Sequence, residues 1–399
     1  MGNEFNRESV SVLLLGMVDS IHFANWISRF EEENIEFRIF ASGNFREIHP
    51  KLVSLSKQNT RIKFIGPVSV PYIGKYLQFA LSMFNRKSKG KFGLSKVLLA
   101  YIKIRKFHYI HCLELQKAGY LLLETKFVPT KTKIIVTNYG SDINYFMNDP
   151  FHLTKIKELL EIAGYYSAEC QRDYKLAVEL GFKGVSLPCI PNSTSFPIEF
   201  LKEESLIPQE RSLILIKSYS GPFGFGERNI QISKSILSRI EDVKVHCFSV
   251  SKQEALEYKN LAVNDSRFSY STLENPVPFQ EFLEKFKIAK IYVGISKSDG
   301  LGTSFLEALA SGCYPIQTDT SCGDELIRKG AVGKIVSSKI SNLDLVNSIV
   351  DIYYDVKALE SAQQANQAFA MKYLEQNEII RKSLQFYNSE SIEELLGES

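Results

Sequence analysis

The sequence predicts an α/β protein made of two doubly wound parallel sheets. Three observations lead there. A short apolar run at residues 10–15 and strand-like segments at 37–40 and 61–64 alternate with segments of helical periodicity. The same rhythm starts again at residues 213–216. Continuous apolar runs of this length read as strands covered on both faces, as crossover helices require. At 399 residues the chain also exceeds what one hydrophobic core usually serves. We expect an N-terminal domain over residues 1–200, a C-terminal domain over 201–380, and a closing helix over 381–399 that returns to the first domain.

Composition excludes several classes. Apolar content is 44% and charged content 23%, ordinary for a globular enzyme. A net charge of +3 is too small to argue for nucleic acid. The six cysteines are scattered, with neither zinc-site nor disulfide-framework spacing, which fits a reducing cytosol. No apolar run reaches membrane-spanning length. The polar opening of residues 1–6 is not of the signal-peptide type.

In the first half, residues 10–15 end at Gly16, and Asp19-Ser20 caps a helix carrying His22, Phe23, Trp26, Ile27 and Phe30. His22 closely follows the first strand, so it either faces the crevice or serves as a core histidine. A single glycine in this first turn argues against a dinucleotide fingerprint. Residues 75–107 hold nine lysines and arginines and no acidic residue, interleaved with Tyr76, Leu77, Phe79, Met83 and Phe84. Such a stretch suits an anionic membrane surface; the plainer alternative is two surface helices joined by a Lys/Gly loop. Glu114 and Gln116 follow the strand ending near Ile110, where they either meet a ligand or are solvated. Residues 133–137 form a strand, and Gly140-Ser141-Asp142 its turn, with helix capping as the alternative role for Asp142.

In the second half, Lys217 ends the first strand. A glycine-rich loop through Gly221, Gly224 and Gly226 leads into a helix bearing Arg228. Loop and helix N-terminus together can cradle a diphosphate, with the two cations assisting. Residues 291–295 feed the stretch Ser298-Asp299-Gly300-Leu301-Gly302-Thr303-Ser304-Phe305-Leu306-Glu307, and Gly312 stops its helix. Asp299 and Glu307 bracket this strand–turn–helix junction with seven residues between them. Both then face one anionic ligand, unless they are merely a cap and a solvated helix position. Helices are expected at residues 343–354, 359–384 and 386–396.

The stretch Asp299–Gly300–Leu301–Gly302–Thr303 to Glu307-Ala308-Leu309-Ala310-Ser311-Gly312 resembles the donor signature of glycosyltransferase family 4. That signature has two glutamates with seven residues between them, around Gly-Phe-Gly-Leu-Pro; here the first is Asp299, its carboxylate about 1.5 Å nearer the backbone. Asp19-Ser20-Ile21-His22 with Trp26 is similar to the family's opening segment. Residues 110–120 resemble its Val-His-x-His-x-Leu-Gln-x-Ala-Gly-Tyr, with Leu113 in place of the second histidine. Asn138-Tyr139-Gly140-Ser141-Asp142-Ile143 resembles its Trp-Gly-Ser-Asp-Ile.

The resemblance implies a GT-B fold, two facing Rossmann-like domains with a deep cleft, and a retaining transfer of a hexose-type sugar from a nucleotide-diphosphate donor. It implies that Glu307 holds the ribose and that Gly300, Leu301, Gly302 and Thr303 offer amides to the diphosphate with Lys217 and Arg228. It makes Asp299, Glu307 and Lys217 the catalytic set, and puts His22, Glu114, Gln116 and Asp142 on the acceptor side. Cations in place of a divalent ion imply metal independence, with no cofactor beyond the sugar nucleotide. The acceptor is expected to be a glycan or a lipid-linked glycan in cell-surface polysaccharide synthesis. The location is expected to be cytoplasmic, peripheral on the inner face of the membrane through residues 75–107. Asp299 and Leu113 keep two alternatives in view, a nucleotide-sugar epimerase on the same fold and a catalytically silent scaffold partnering a transferase.

Overall fold

A computed structural model describes residues 9–192, 194–203 and 206–388. The expected features at residues 1–6 and most of the expected helix at 386–396 lie outside these. The chain divides into two compact units, Met1–Ser193 with Ile380–Ser399, and Thr194–Ile379.

In the first unit seven parallel strands form one sheet: β1 (Val10–Gly16), β2 (Ile35–Ala41), β3 (Ile62–Phe64), β4 (Tyr109–Leu113), β5 (Lys133–Thr137), β6 (Tyr165–Ser167) and β7 (Val185–Ser186). Their spatial order is β3-β2-β1-β4-β5-β6-β7. In the second unit β8 (Leu213–Lys217), β9 (Lys244–Val250), β10 (Phe268–Thr272), β11 (Ala289–Gly294), β12 (Tyr314–Thr318) and β13 (Lys334–Val336) run parallel in the order β10-β9-β8-β11-β12-β13. The α/β class expected from the sequence is the one observed. Each order reverses once, between β1 and β4 and between β8 and β11. Doubly wound sheets bind ligands outside the carboxyl ends of strands at such reversals.

The apolar runs become the cores. Leu13 and Leu15 of β1 pack with Ile110 and Val136 in the first unit, and Ile214 and Ile216 of β8 with Ile291, Val293 and Ile316 in the second. Among the described residues no helix is long and apolar enough to cross a membrane.

One expected helix is broken. Residues 359–384 divide into Val356–Tyr373 and Gln376–Leu384. The break has a tertiary cause: Phe196 N–H donates to the Leu374 carbonyl and accepts at its own carbonyl from Gln376 N–H. Past the break the chain enters the first unit. There Tyr387 Oη accepts from Trp26 Nε1 at 3.1 Å and lies 2.7 Å from His111 Nδ1, while His111 Nε2 lies 2.7 Å from Thr137 Oγ1. Complete burial pulls the His111 pKa down to about 3, so the ring is neutral and serves packing. Tyr387→Phe leaves the buried indole N–H without its acceptor. It is expected to destabilise the fold by about 1–3 kcal/mol in urea titrations.

Candidate functional site

The second unit brings most of the expected donor residues to the β8/β11 reversal. Lys217, the last residue of β8, places Nζ 3.5 Å from Asp299 Oδ2. Asp299 also accepts from Gly300 N–H at 2.9 Å, so an anion reaching that amide requires this carboxylate to turn aside. Gly302 precedes the helix Thr303–Ala310. A Cβ there would lie 3.0 Å from Asp299 Oδ2, so glycine keeps the turn close to the carboxylate. Gly312 closes the helix at φ +65°, a left-handed position that favours glycine.

Glu307 is only 3% exposed, which removes the solvated-face alternative. Burial pushes its pKa up to about 7; the Lys217 charge and a hydrogen bond from Ser304 pull in the opposite direction. Lys217, Asp299 and Glu307 therefore form one electrostatic cluster contributed by two adjacent strand ends. A buried carboxyl with a shifted pKa beside a specific cation is a frequent mark of a functional site.

The glycine-rich loop is strapped to this cluster. Lys297 N–H donates to the Phe223 carbonyl, and Gly224 bridges Ser296. A Cβ on Gly224 would stand 1.7 Å from the Tyr219 carbonyl oxygen, so only glycine fits. Arg228 takes another direction. Its Nε donates to Asn342 Oδ1 at 2.8 Å, its Nη2 to the Ile340 carbonyl at 2.6 Å, and the guanidinium lies 5.5 Å from the Phe225 ring centre. It anchors the start of the helix Asn342–Tyr354.

Sequence reasoning missed two features of this corner. Lys297, beside Ser298, reaches over the Phe225 ring at 5.3 Å. Below the loop, Thr318 and Thr320 hydroxyls both donate to the Ser296 carbonyl, at 3.1 and 2.6 Å. A lysine two positions before the aspartate was a visible signal; the hydroxyl stack, built across two strands, was not.

The first unit gathers the expected acceptor-side residues at the β1/β4 reversal. Ser20 caps the helix Ile21–Ser28, accepting from His22 N–H, and the His22 ring lies 6.3 Å from that of Tyr139. Asp142 is not a helix cap. Its Oδ2 accepts from Leu115 N–H at 3.2 Å and Tyr139 N–H at 3.3 Å, and Gln116 Nε2 donates to its carbonyl at 2.6 Å. Asp142 thus binds the loop after β4 to the loop after β5. Glu114 is buried, accepts from Ser42 Oγ at 3.0 Å, and holds φ +118°, ψ 148°. Burial and the neighbouring Asp142 push its pKa up to about 8, and burial takes Asp142 up to about 6.

With two doubly wound parallel units in sequence, the fold is of the GT-B type. Among solved structures the chain is similar to sucrose-phosphate synthase from Thermosynechococcus elongatus, with TM-score 0.69, 13% identity, and 98% of this chain and 100% of that one covered. A glycosyltransferase from Rickettsia africae gives TM-score 0.61 at 14% identity over 98% and 100%. HepE from Anabaena, in complex with UDP and glucose, gives 0.62 at 12% identity over 95% and 99%. At these identities the likeness concerns the fold. No protein-family model and no curated protein matches the sequence.

Proposed function

We propose that the protein is a retaining glycosyltransferase similar to family 4, moving a hexose-type sugar from a nucleotide-diphosphate donor to a glycan or lipid-linked glycan in cell-surface polysaccharide synthesis. The observation that carries this reading is the Lys217–Asp299–Glu307 cluster at the second unit's strand reversal, next to a glycine-rich loop and a helix N-terminus. HepE, which shares the fold, has been solved with UDP-glucose, and a trehalose-6-phosphate enzyme of E. coli with UDP-2-fluoro glucose. In this reading Glu307 accepts from the ribose hydroxyls. Lys217, once Asp299 yields it, meets the diphosphate together with the amides of residues 301–303. Negative charge grows on the diphosphate as the glycosidic bond breaks, and fixed cations and amides already aimed at it stabilise that charge without reorganising. The departing phosphate then accepts the acceptor's proton. Arg228 assists through the loop it steadies.

The test is a thermal-shift screen of nucleotide sugars, followed by transfer assays with the best binder. A true donor raises the melting temperature progressively with its concentration. Lys217→Ala is expected to weaken that donor about tenfold, the loss of one charge-assisted contact. No shift with any nucleotide sugar, or an undiminished shift in the variant, removes the assignment.

A further inference from the structure

One helix of the first unit is built inside out. Gly74–Lys87 buries Gly74, Gln78 and Asn85. Two buried amides seat it, beside Leu81, which packs against the core: Gln78 Nε2 donates to the Ala41 carbonyl at 2.8 Å, and Asn85 Oδ1 accepts from Ser95 N–H and Oγ at 3.0 and 2.6 Å. Its aromatic residues face outward, with Tyr76 66%, Phe79 53% and Phe84 63% exposed, and Tyr72 and Phe92 continue the display before and after it. Around them Lys75, Arg86, Lys87, Lys89 and Lys91 are exposed too. Amphipathic helices in water bury their apolar face. A helix that buries two amides and exposes aromatics among cations suits the boundary between headgroups and acyl chains of an anionic bilayer.

Beside this helix lies a cavity of about 520 Å³. Phe79, Met83 and Arg86 of the helix line one side, and Gln116 and Lys117 of the loop after β4 line another. Glu124 also borders it, its carboxylate bound to Asn85. Among the described residues neither Arg86 nor Lys117 is ion-paired. Lys117 Nζ lies 3.0 Å from Met17 Sδ. Two cations and the apolar side chains of Phe79, Met83 and Leu121 share its lining, which suits a molecule with a phosphate head and a hydrocarbon tail.

We propose that the helix Gly74–Lys87 lies in an anionic bilayer surface and that the adjoining cavity receives the phosphate head of a lipid-borne acceptor from that surface. The proposal rests on the transferase reading for what becomes of the lipid, and on the helix and cavity alone for its capture. The acceptor diffuses in the membrane plane, and Arg86 and Lys117 bring its head to the loop that carries Glu114 and Gln116.

The experiment is cosedimentation of the full chain, without donor, with three vesicle types: phosphatidylcholine alone, and phosphatidylcholine with equal mole fractions of either phosphatidylglycerol or polyprenyl phosphate. We expect binding to both anionic vesicles, tighter to polyprenyl phosphate, and none to phosphatidylcholine. The exposed pair Tyr76→Ser with Phe84→Ser is expected to lose binding to both. Lys117→Ala is expected to lose about tenfold on polyprenyl phosphate alone, the weight of one charge-assisted contact with the phosphate head. Absent vesicle binding, binding indifferent to the aromatic pair, or equal loss of both lipids in Lys117→Ala overturns the proposal. So does a solution dimer that the aromatic pair dissolves, which makes the face an interface between copies. None of these outcomes alters the nucleotide-sugar thermal shift, so the two readings fail separately.

Discussion

Glu307→Gln is expected to raise the melting temperature at pH 8 while lowering kcat/KM about a hundredfold, a difference of roughly 2.7 kcal/mol. The two effects share one cause. The carboxyl is held among apolar helix neighbours, and burial raises its pKa from 4.5 to about 7 against the pull of Lys217 and Ser304. A carboxyl that binds its proton more tightly when folded stabilises the fold fully below its unfolded pKa. That contribution is lost as pH climbs through the folded value. At pH 8 the native protein therefore holds a buried carboxylate at a penalty on the order of 3 kcal/mol. Glutamine keeps the shape without the charge, so the fall in stability between pH 5 and 8 should flatten.

Turnover moves the other way, because a neutral amide is a weaker acceptor for ribose hydroxyls than a carboxylate. The same residue thus weakens the empty fold and strengthens the loaded one, the usual exchange between stability and activity. Melting curves from pH 5 to 9 and steady-state kinetics check both halves. A variant that melts lower at pH 8 contradicts the burial penalty, and unchanged turnover contradicts the ribose role.

Much of this was readable from residue order because the chemistry is local. A parallel strand covered on both faces writes itself as an apolar run, and β1, β2, β5 and β8 were legible for that reason. The Asp299–Glu307 junction was legible because strand, glycine turn and helix are contiguous. What escaped has partners far along the chain. Helical periodicity in residues 74–87 is the same whichever face turns inward, and only Ala41 and Ser95 reveal that Gln78 and Asn85 do. The break after Tyr373 depends on Phe196. β6 and β13 have three residues each, too short to show a period. The direction of Arg228 depends on Ile340 and Asn342, more than a hundred residues on. Capping stayed open as an alternative for Asp142 because its sequence neighbours allow it, whereas its amide partner Leu115 lies in another loop.

Glu114 combines two burdens that substitution can separate. Its φ of +118° with ψ 148° is a region glycine occupies readily and other residues enter at about 1–3 kcal/mol. Its carboxyl, buried beside Asp142, has a pKa raised from 4.5 to about 8. By the sign already worked for Glu307, that group stabilises the fold in acid and loses its contribution as pH rises through about 8, a swing on the order of 4 kcal/mol. Glu114→Gln removes the charge and leaves the backbone strain, so its gain over wild type should be near zero at pH 5 and grow toward pH 9. Glu114→Gly removes both burdens but strips the Ser42 hydroxyl of its acceptor and loosens the unfolded chain, each about 1 kcal/mol. The two variants should therefore differ by an amount that does not change with pH. Urea titrations at pH 5, 7 and 9 measure that difference directly, and a wild type whose stability is flat over this range rules out the buried charge. If the residue serves the acceptor, both variants lose acceptor turnover while the donor thermal shift, which belongs to the second unit, stays. A strained, acid-stabilised glutamate retained where glycine or glutamine would fold better is then explained by the hydroxyl it meets.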